Sequence, residues 1–288
     1  MSRAPREVIQ TNTTGPTTEP GVPIIRVENL HRSFGSQVVL DGVSIDFRIA
    51  ETTVVMGPSG CGKSVLLKHL VGLLRPNSGA VYFDGRRIDN LRERDLTPVR
   101  LQIGLLFQMS ALFDSMTVEE NIAFPLIEHT QLDAKARRDK VAQALDTVDM
   151  AGVQHKLPSQ LSGGQRKRVA LARAIVLQPR VVLYDEPTTG LDPIRSDGIN
   201  ELIIKLKRTM GVTSVVVTHD LVSAAKVADR VVMILGGKVA ADGRYADLEF
   251  CPDPRIRHFI AGQYDKADDD AMPALPKNQS RFEVETPS

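Results

Sequence analysis

A chain of 288 residues with 42% apolar side chains is long enough to bury one large core or two small ones, which excludes wholesale disorder. Its 36 basic and 35 acidic residues leave a formal charge of +1, so no strong field draws it to nucleic acid or to an anionic membrane. The two cysteines, Cys61 and Cys251, have the spacing of neither a metal site nor a disulfide framework and read as free thiols.

Residues 1 to 22 are rich in Thr, Pro and Gly, lack the apolar core of a secretory signal, and read as a polar tail. IIRVENL (24–30), VSIDFRI (43–49) and VYFDGRRI (81–88) alternate in polarity, which predicts strands of an antiparallel sheet. TVVMG (53–57), VVLYDE (181–186), SVVVTH (214–219) and RVVMIL (230–235) are instead continuous apolar runs, suited to strands buried on both faces of a largely parallel sheet. IGLLFQ adds another strand with Gln108 at its end. From about 110 to 160 no strand-like run occurs. There Thr117 and Glu120 have capping-box spacing, and Val141, Leu145 and Val148 share one helical face, so a helical subdomain is expected inside an α/β fold. No stretch approaches the roughly 20 apolar residues needed to cross a bilayer. The expected domain spans 23–262, with a polar tail over 263–288.

Gly57-Pro58-Ser59-Gly60-Cys61-Gly62-Lys63-Ser64 fits GxxxxGK[ST] between a predicted strand and an apolar helix, the context a phosphate-binding loop requires. The glycines let backbone N–H groups curl around phosphates at a positive helix end; Lys63 supplies charge to the β and γ phosphates and Ser64 a hydroxyl to Mg²⁺. Cys61, beside a helix N-terminus, is expected to have a lowered thiol pKa and to react with thiol reagents, unless it is simply a tolerated variable position. Asp185 and Glu186 end an apolar strand: one carboxylate is placed for the Mg²⁺ shell, and the next, on the other side of the pleat, for accepting a proton from attacking water.

Leu161-Ser162-Gly163-Gly164-Gln165, followed by the helical run RKRVALARAIVLQP, completes a motif set. With the phosphate loop before it, the Asp-Glu strand end after it and His219 further on, residues 24–262 resemble the nucleotide-binding domain of ATP-binding-cassette (ABC) proteins. The resemblance implies a P-loop NTPase with a RecA-like parallel-sheet core, an N-terminal antiparallel part and an inserted helical subdomain, with ATP and Mg²⁺ as cofactors. It implies a head-to-tail dimer in which Ser162, Gly163, Gly164 and Gln165 of one copy close over the ATP held by Gly57–Ser64 of the other. In physical terms these small residues open a second helix N-terminus able to donate to phosphate oxygens. By the same resemblance Gln108 reaches Mg²⁺ and water, Asp192 lines the dimer seam, His219 contacts the γ-phosphate, and Glu186 is the hydrolytic base. Phe34 falls where the family stacks an aromatic ring, commonly Tyr, on adenine; the competing reading is an ordinary buried ring.

The segment after Gln108, MSALFDSMTVEENIAFPL, falls where the family receives a membrane subunit. Met109, Ala111, Leu112, Phe113, Met116 and Phe124 are more apolar than free surface needs, although packing within the helical subdomain accounts for some of them. Its wording, with VGLLRPNSG and PDPRIRHFIAG, is similar to ATPases of Mce/Mla-type systems, which move lipids or sterols between bacterial envelope membranes. That similarity implies an ATP-hydrolysing motor at the cytoplasmic face of the inner membrane. Its partners would be transmembrane permease subunits, a second ATPase copy and envelope lipid-binding proteins, with no nucleic acid. A small-solute importer and a non-transport regulatory ATPase share every catalytic motif and remain alternatives.

Overall fold

The computed structural model describes residues 22–263, so the expected tails, apart from Val22 and Gln263, lie outside the described residues. Pro23–Phe34 (β1) and Gln37–Arg48 (β2) form a long antiparallel hairpin. Both strands run beyond the alternating segments, because Gly35 at φ 60° makes a two-residue turn that lets Phe34 pair with Gln37. Thr52–Met56 (β3) then leads through the glycine-rich loop into Lys63–Leu70 (α1). Ser78–Phe83 (β4) and Arg86–Arg87 (β5) close a second hairpin at Asp84 and Gly85, both at positive φ. The segment expected as one strand over 81–88 is therefore two, since an Asp-Gly pair supplies the left-handed backbone of a tight turn.

Glu93–Arg100 (α2), Ile103–Leu106 (β6), Val118–His129 (α3), Ala134–Thr147 (α4), a 3₁₀ turn at Pro158–Gln160 and Gly163–Ile175 (α5) make up the middle of the chain. Val181–Asp185 (β7), Pro193–Met210 (α6), Thr213–Val217 (β8), Leu221–Val227 (α7), Arg230–Leu235 (β9), Lys238–Gly243 (β10), Tyr245–Leu248 (α8) and Pro254–Ile260 (α9) complete it. Thr117 caps α3 with the reciprocal bonds expected: Glu120 N donates to its hydroxyl at 3.2 Å, and Thr117 N donates to Glu120 Oε2 at 2.7 Å. Val141, Leu145 and Val148 are all buried, as their spacing predicts.

Among the described residues the strands form a four-stranded antiparallel sheet, β2-β1-β4-β5, and a six-stranded sheet, β10-β9-β3-β8-β7-β6. Pairing is parallel from β9 through β6, and β10 is added antiparallel at the edge. Strand β10 was not expected, because KVAADG is an edge strand only partly buried and carries no apolar run. The continuous apolar runs are explained by burial on both faces. Val54, Met56, Val182, Tyr184, Val216 and Met233 pack with Ile122, Leu145, Val169 and Leu202 on the helical side. Their neighbours Val55, Val181, Leu183, Val215, Val217 and Val232 pack with Leu66 and Leu70 of α1 and with Ile25, Val43 and Phe47 of the antiparallel sheet. Burying each such side chain contributes about 1.5–3 kcal/mol. Val217 pairs with Val55 on one side and Asp185 on the other, so the loops leaving β3, β7 and β8 emerge together at the carboxyl end of the parallel strands.

Candidate nucleotide site

At that end the 57–62 loop is shaped by glycines with different reasons to be glycine. A Cβ on Gly57 would sit 2.3 Å from the backbone oxygen of Ile234, and one on Gly62, at φ 102°, would meet Val39 O at 2.9 Å. Gly60, at φ 80°, faces open space and is required for its backbone conformation alone. Helices α3 to α7 each have a side-chain cap on their first turn, whereas α1 begins at left-handed Gly62 with none. Helices α2 and α8 also lack a side-chain cap, but only α1 follows the glycine-rich loop, an arrangement able to cradle an anion.

Lys63, almost fully buried, donates through Nζ to the carbonyls of Gly57 and Pro58, both at 2.8 Å. The Ser64 hydroxyl donates to Asp185 Oδ1 at 2.8 Å, linking α1 to the end of β7. Burial pushes the Asp185 carboxyl up, the Ser64 bond works against it, and the neighbouring Glu186 charge adds to the rise. These two hard oxygen donors beside an anion cradle fit Mg²⁺, which keeps waters and leans on substrate phosphates instead of needing a protein cage. Among the described residues no group of three or more His, Cys, Asp or Glu side chains forms such a cage.

Glu186 corrects one expectation. Strand β7 ends at Asp185, and Glu186 leaves it at φ 49°, so its direction comes from a left-handed backbone and not from pleat alternation. Its Oε1 lies 2.9 Å from His219 Nδ1, and its Oε2 accepts from the Thr189 hydroxyl at 3.1 Å. A cleft of about 260 Å³ is lined by Ser59, Gly60, Gly62, Lys63, Ser64, Val65, Gln108, Glu186 and His219. Gln108 stands two residues beyond the end of β6, in a turn, and not on the strand itself. The chemistry available is a positive cradle for polyphosphate, a carboxylate with a histidine beside it, and hydroxyl and carboxylate oxygens for a hard cation.

Other sequence-predicted residues lie away from this cleft. Ser162 caps α5, accepting from Gln165 N at 3.3 Å while Gln165 Oε1 accepts from Ser162 N at 2.9 Å. Gly163 and Gly164 have room for a Cβ, the nearest atoms belonging to Leu191 and Arg195. Asp192 caps α6, accepting from Arg195 N at 3.0 Å. None of these residues lines the phosphate-loop cleft of its own chain. Phe34 is 45% exposed, which removes the reading of a buried ring; the Arg32 guanidinium sits 4.5 Å from its ring centroid. Cys61 departs from expectation: burial pushes its thiol up, outweighing the pull of Lys63.

Several contributors were not foreseen. Thr189 stands three residues past Glu186 in a turn, a spacing at which a hydroxyl reaches back, and that was the available signal. The loops after β7 and β8 are tied by Asp220, whose carboxylate accepts from Ser223 Oγ at 2.6 Å and Thr188 Oγ1 at 3.2 Å, while Asn200 donates to Ser223 Oγ at 2.9 Å. This network ties the loop that carries Glu186 to the loop that carries His219.

Fold and site together define a P-loop nucleotide-binding protein. Residues 40–189 match the family described as ABC transporter. The chain is 40% identical over 242 residues to the intermembrane phospholipid transport system ATP-binding protein MlaF of Haemophilus influenzae, covering 84% of this chain and 92% of the relative. It is equally 40% identical, over 239 residues, to the probable ribonucleotide transport ATP-binding protein mkl of Mycobacterium leprae, covering 83% of this chain and 69% of that one. Among solved structures, cbiO1 of Clostridium perfringens, part of a transporter complex, superimposes with TM-score 0.73 at 29% identity over 83% of this chain and 99% of its own. The dimeric cassette MJ0796 bound to ADP and Pi gives TM-score 0.71 at 32% identity, over 77% and 98%. The chain belongs to the ABC transporter family and is one of its ATPases. No helix among the described residues is long and apolar enough to cross a membrane.

Proposed function

We propose that this chain is the motor subunit of a bacterial ABC transporter that moves lipid between envelope membranes, working from the cytoplasmic face of the inner membrane with permease subunits and envelope lipid-binding proteins. The observation that carries the lipid reading is the 40% identity to MlaF over 92% of that protein, spanning fold and site alike. In this reading the N–H groups of 57–62 and Lys63 hold the ATP phosphates, Phe34 stacks on adenine, and Ser64, Asp185 and Gln108 hold Mg²⁺. Mg²⁺ when bound offsets phosphate charge. Glu186, oriented by Thr189 and His219, takes the proton of the attacking water. The separation of Ser162–Gln165 from the chain's own cleft supports a dimer in which each copy completes the other's site, with Asp192 at the seam.

Glu186→Gln tests the hydrolytic half: ATP binding persists while phosphate release falls by roughly two to three orders of magnitude. Unchanged turnover would remove Glu186 from the reaction. The cargo is tested by purifying the tagged chain from native membranes in mild detergent and identifying co-purifying proteins and lipids by mass spectrometry. A permease with bound phospholipid supports the proposal; a solute permease or a division complex overturns the cargo and leaves the ATPase intact.

A further inference from the structure

Lys167 is a lysine on α5, two residues beyond the LSGGQ turn, and only 5% of it is exposed. Burying an ammonium on a helix face where Leu or Met would pack is unfavourable unless its protons are used. Its Nζ donates to the backbone carbonyl of Glu186 at 3.2 Å. That carbonyl belongs to the residue that leaves β7 in a left-handed conformation, at φ 49°. The same carbonyl accepts from Thr189 N at 3.3 Å, and the Glu186 N–H donates to Val217 O at 2.9 Å. A non-glycine residue in this region costs on the order of 1–2 kcal/mol and persists only when its surroundings hold it. Lys167 is the holding contact that comes from the helix beginning at LSGGQ; the others come from the strand neighbour and the turn. Burial pulls the ammonium's proton affinity down and the Glu186 charge restores part of it.

We infer that Lys167 is a positioning residue for hydrolysis: it fixes the strained backbone of Glu186, and through it the carboxylate, from the helix that carries LSGGQ. The inference rests on the reading of Glu186 as the hydrolytic carboxylate. Lys167 does not itself line the cleft, so its loss is expected to leave nucleotide binding alone.

The test uses the full-length chain with Mg-ATP. Lys167→Met fills similar space without a donor. It is expected to lower kcat by about ten- to a hundredfold, the worth of a hydrogen bond involving a charged group, with KM for ATP changed less than about twofold. In the Glu186→Gln background the same substitution is expected to add nothing, because the group it positions is already gone. Lys167→Gln keeps a neutral donor and is expected to lose less than about tenfold, also without effect on top of Glu186→Gln; it is read alone if the Met variant does not fold. Full turnover in Lys167→Met, or a loss in either variant that multiplies with that of Glu186→Gln, overturns the inference. Full turnover in Glu186→Gln itself would instead overturn the hydrolytic reading, so the two failures are distinguishable.

Discussion

Asn121 offers the sharpest test of how the segment after Gln108 is held. Fully buried on α3, it accepts from Phe113 N at 2.8 Å through Oδ1. Through Nδ2 it donates to the carbonyls of Phe113, Met116 and Thr117 at 3.1, 3.1 and 3.0 Å. Asn121→Ala leaves the Phe113 N–H without this acceptor, at about 1–3 kcal/mol, and forfeits further bonds at around 1 kcal/mol, so a loss of about 2–4 kcal/mol is expected. For a domain of this size that lowers Tm by about 4–16 °C. Asn121→Asp keeps the shape and the acceptor but turns a carboxylate oxygen toward three carbonyls, and an uncompensated buried charge costs about 3–5 kcal/mol. At about pH 8 the order of stability is therefore wild type, then Ala, then Asp. Burial raises the folded-state pKa of such an Asp above its unfolded value, so its penalty is present at high pH. The penalty shrinks as pH falls toward about 5, where protonation removes the charge and restores a donor. Thermal unfolding followed by circular dichroism across that range measures both effects. An Asp variant melting at or above the Ala variant at the alkaline end, or both within about 2 °C of wild type, would refute the reasoning.

Three further outcomes follow from the site and its surroundings. Because burial raises the Cys61 thiol, its alkylation is expected to be slow at neutral pH and to accelerate only above the ordinary thiol range; fast, ATP-protected labelling near neutrality, read by peptide mass spectrometry, would contradict this. Gly57→Ala is expected to abolish nucleotide binding in a fluorescent-nucleotide titration and to cost about 1–3 kcal/mol of stability, since its Cβ meets Ile234 O at 2.3 Å, while Gly60→Ala, with open space around it, is milder. Phe113, 41% exposed and in tilted ring contact at 5.1 Å with the exposed Phe124, marks the apolar surface proposed to receive the permease; Phe113→Asp is expected to leave ATP turnover of the isolated chain intact while permease recovery in pull-downs is lost.

The sequence by itself determined the glycine-rich loop, the strand ending at Asp185, the capping box at Thr117, and the buried strands. Each rests on neighbouring residues: glycine conformational freedom, helix-end chemistry, or a run of apolar side chains that only two-sided burial tolerates. Hairpin turns at Gly35 and Asp84-Gly85 were equally local, yet the alternation around them hid the first and merged the strands of the second. Only the tertiary structure decided the strand order, which sets the carboxyl ends of β3, β8 and β7 side by side. It alone turned Glu186 out of the sheet through a left-handed backbone. Lys167 and Asn121 are the clearest cases of what sequence could not disclose. A single buried polar side chain looks like a surface residue in a helical pattern, because its partner is a backbone carbonyl or amide, and backbone groups are the same at every position.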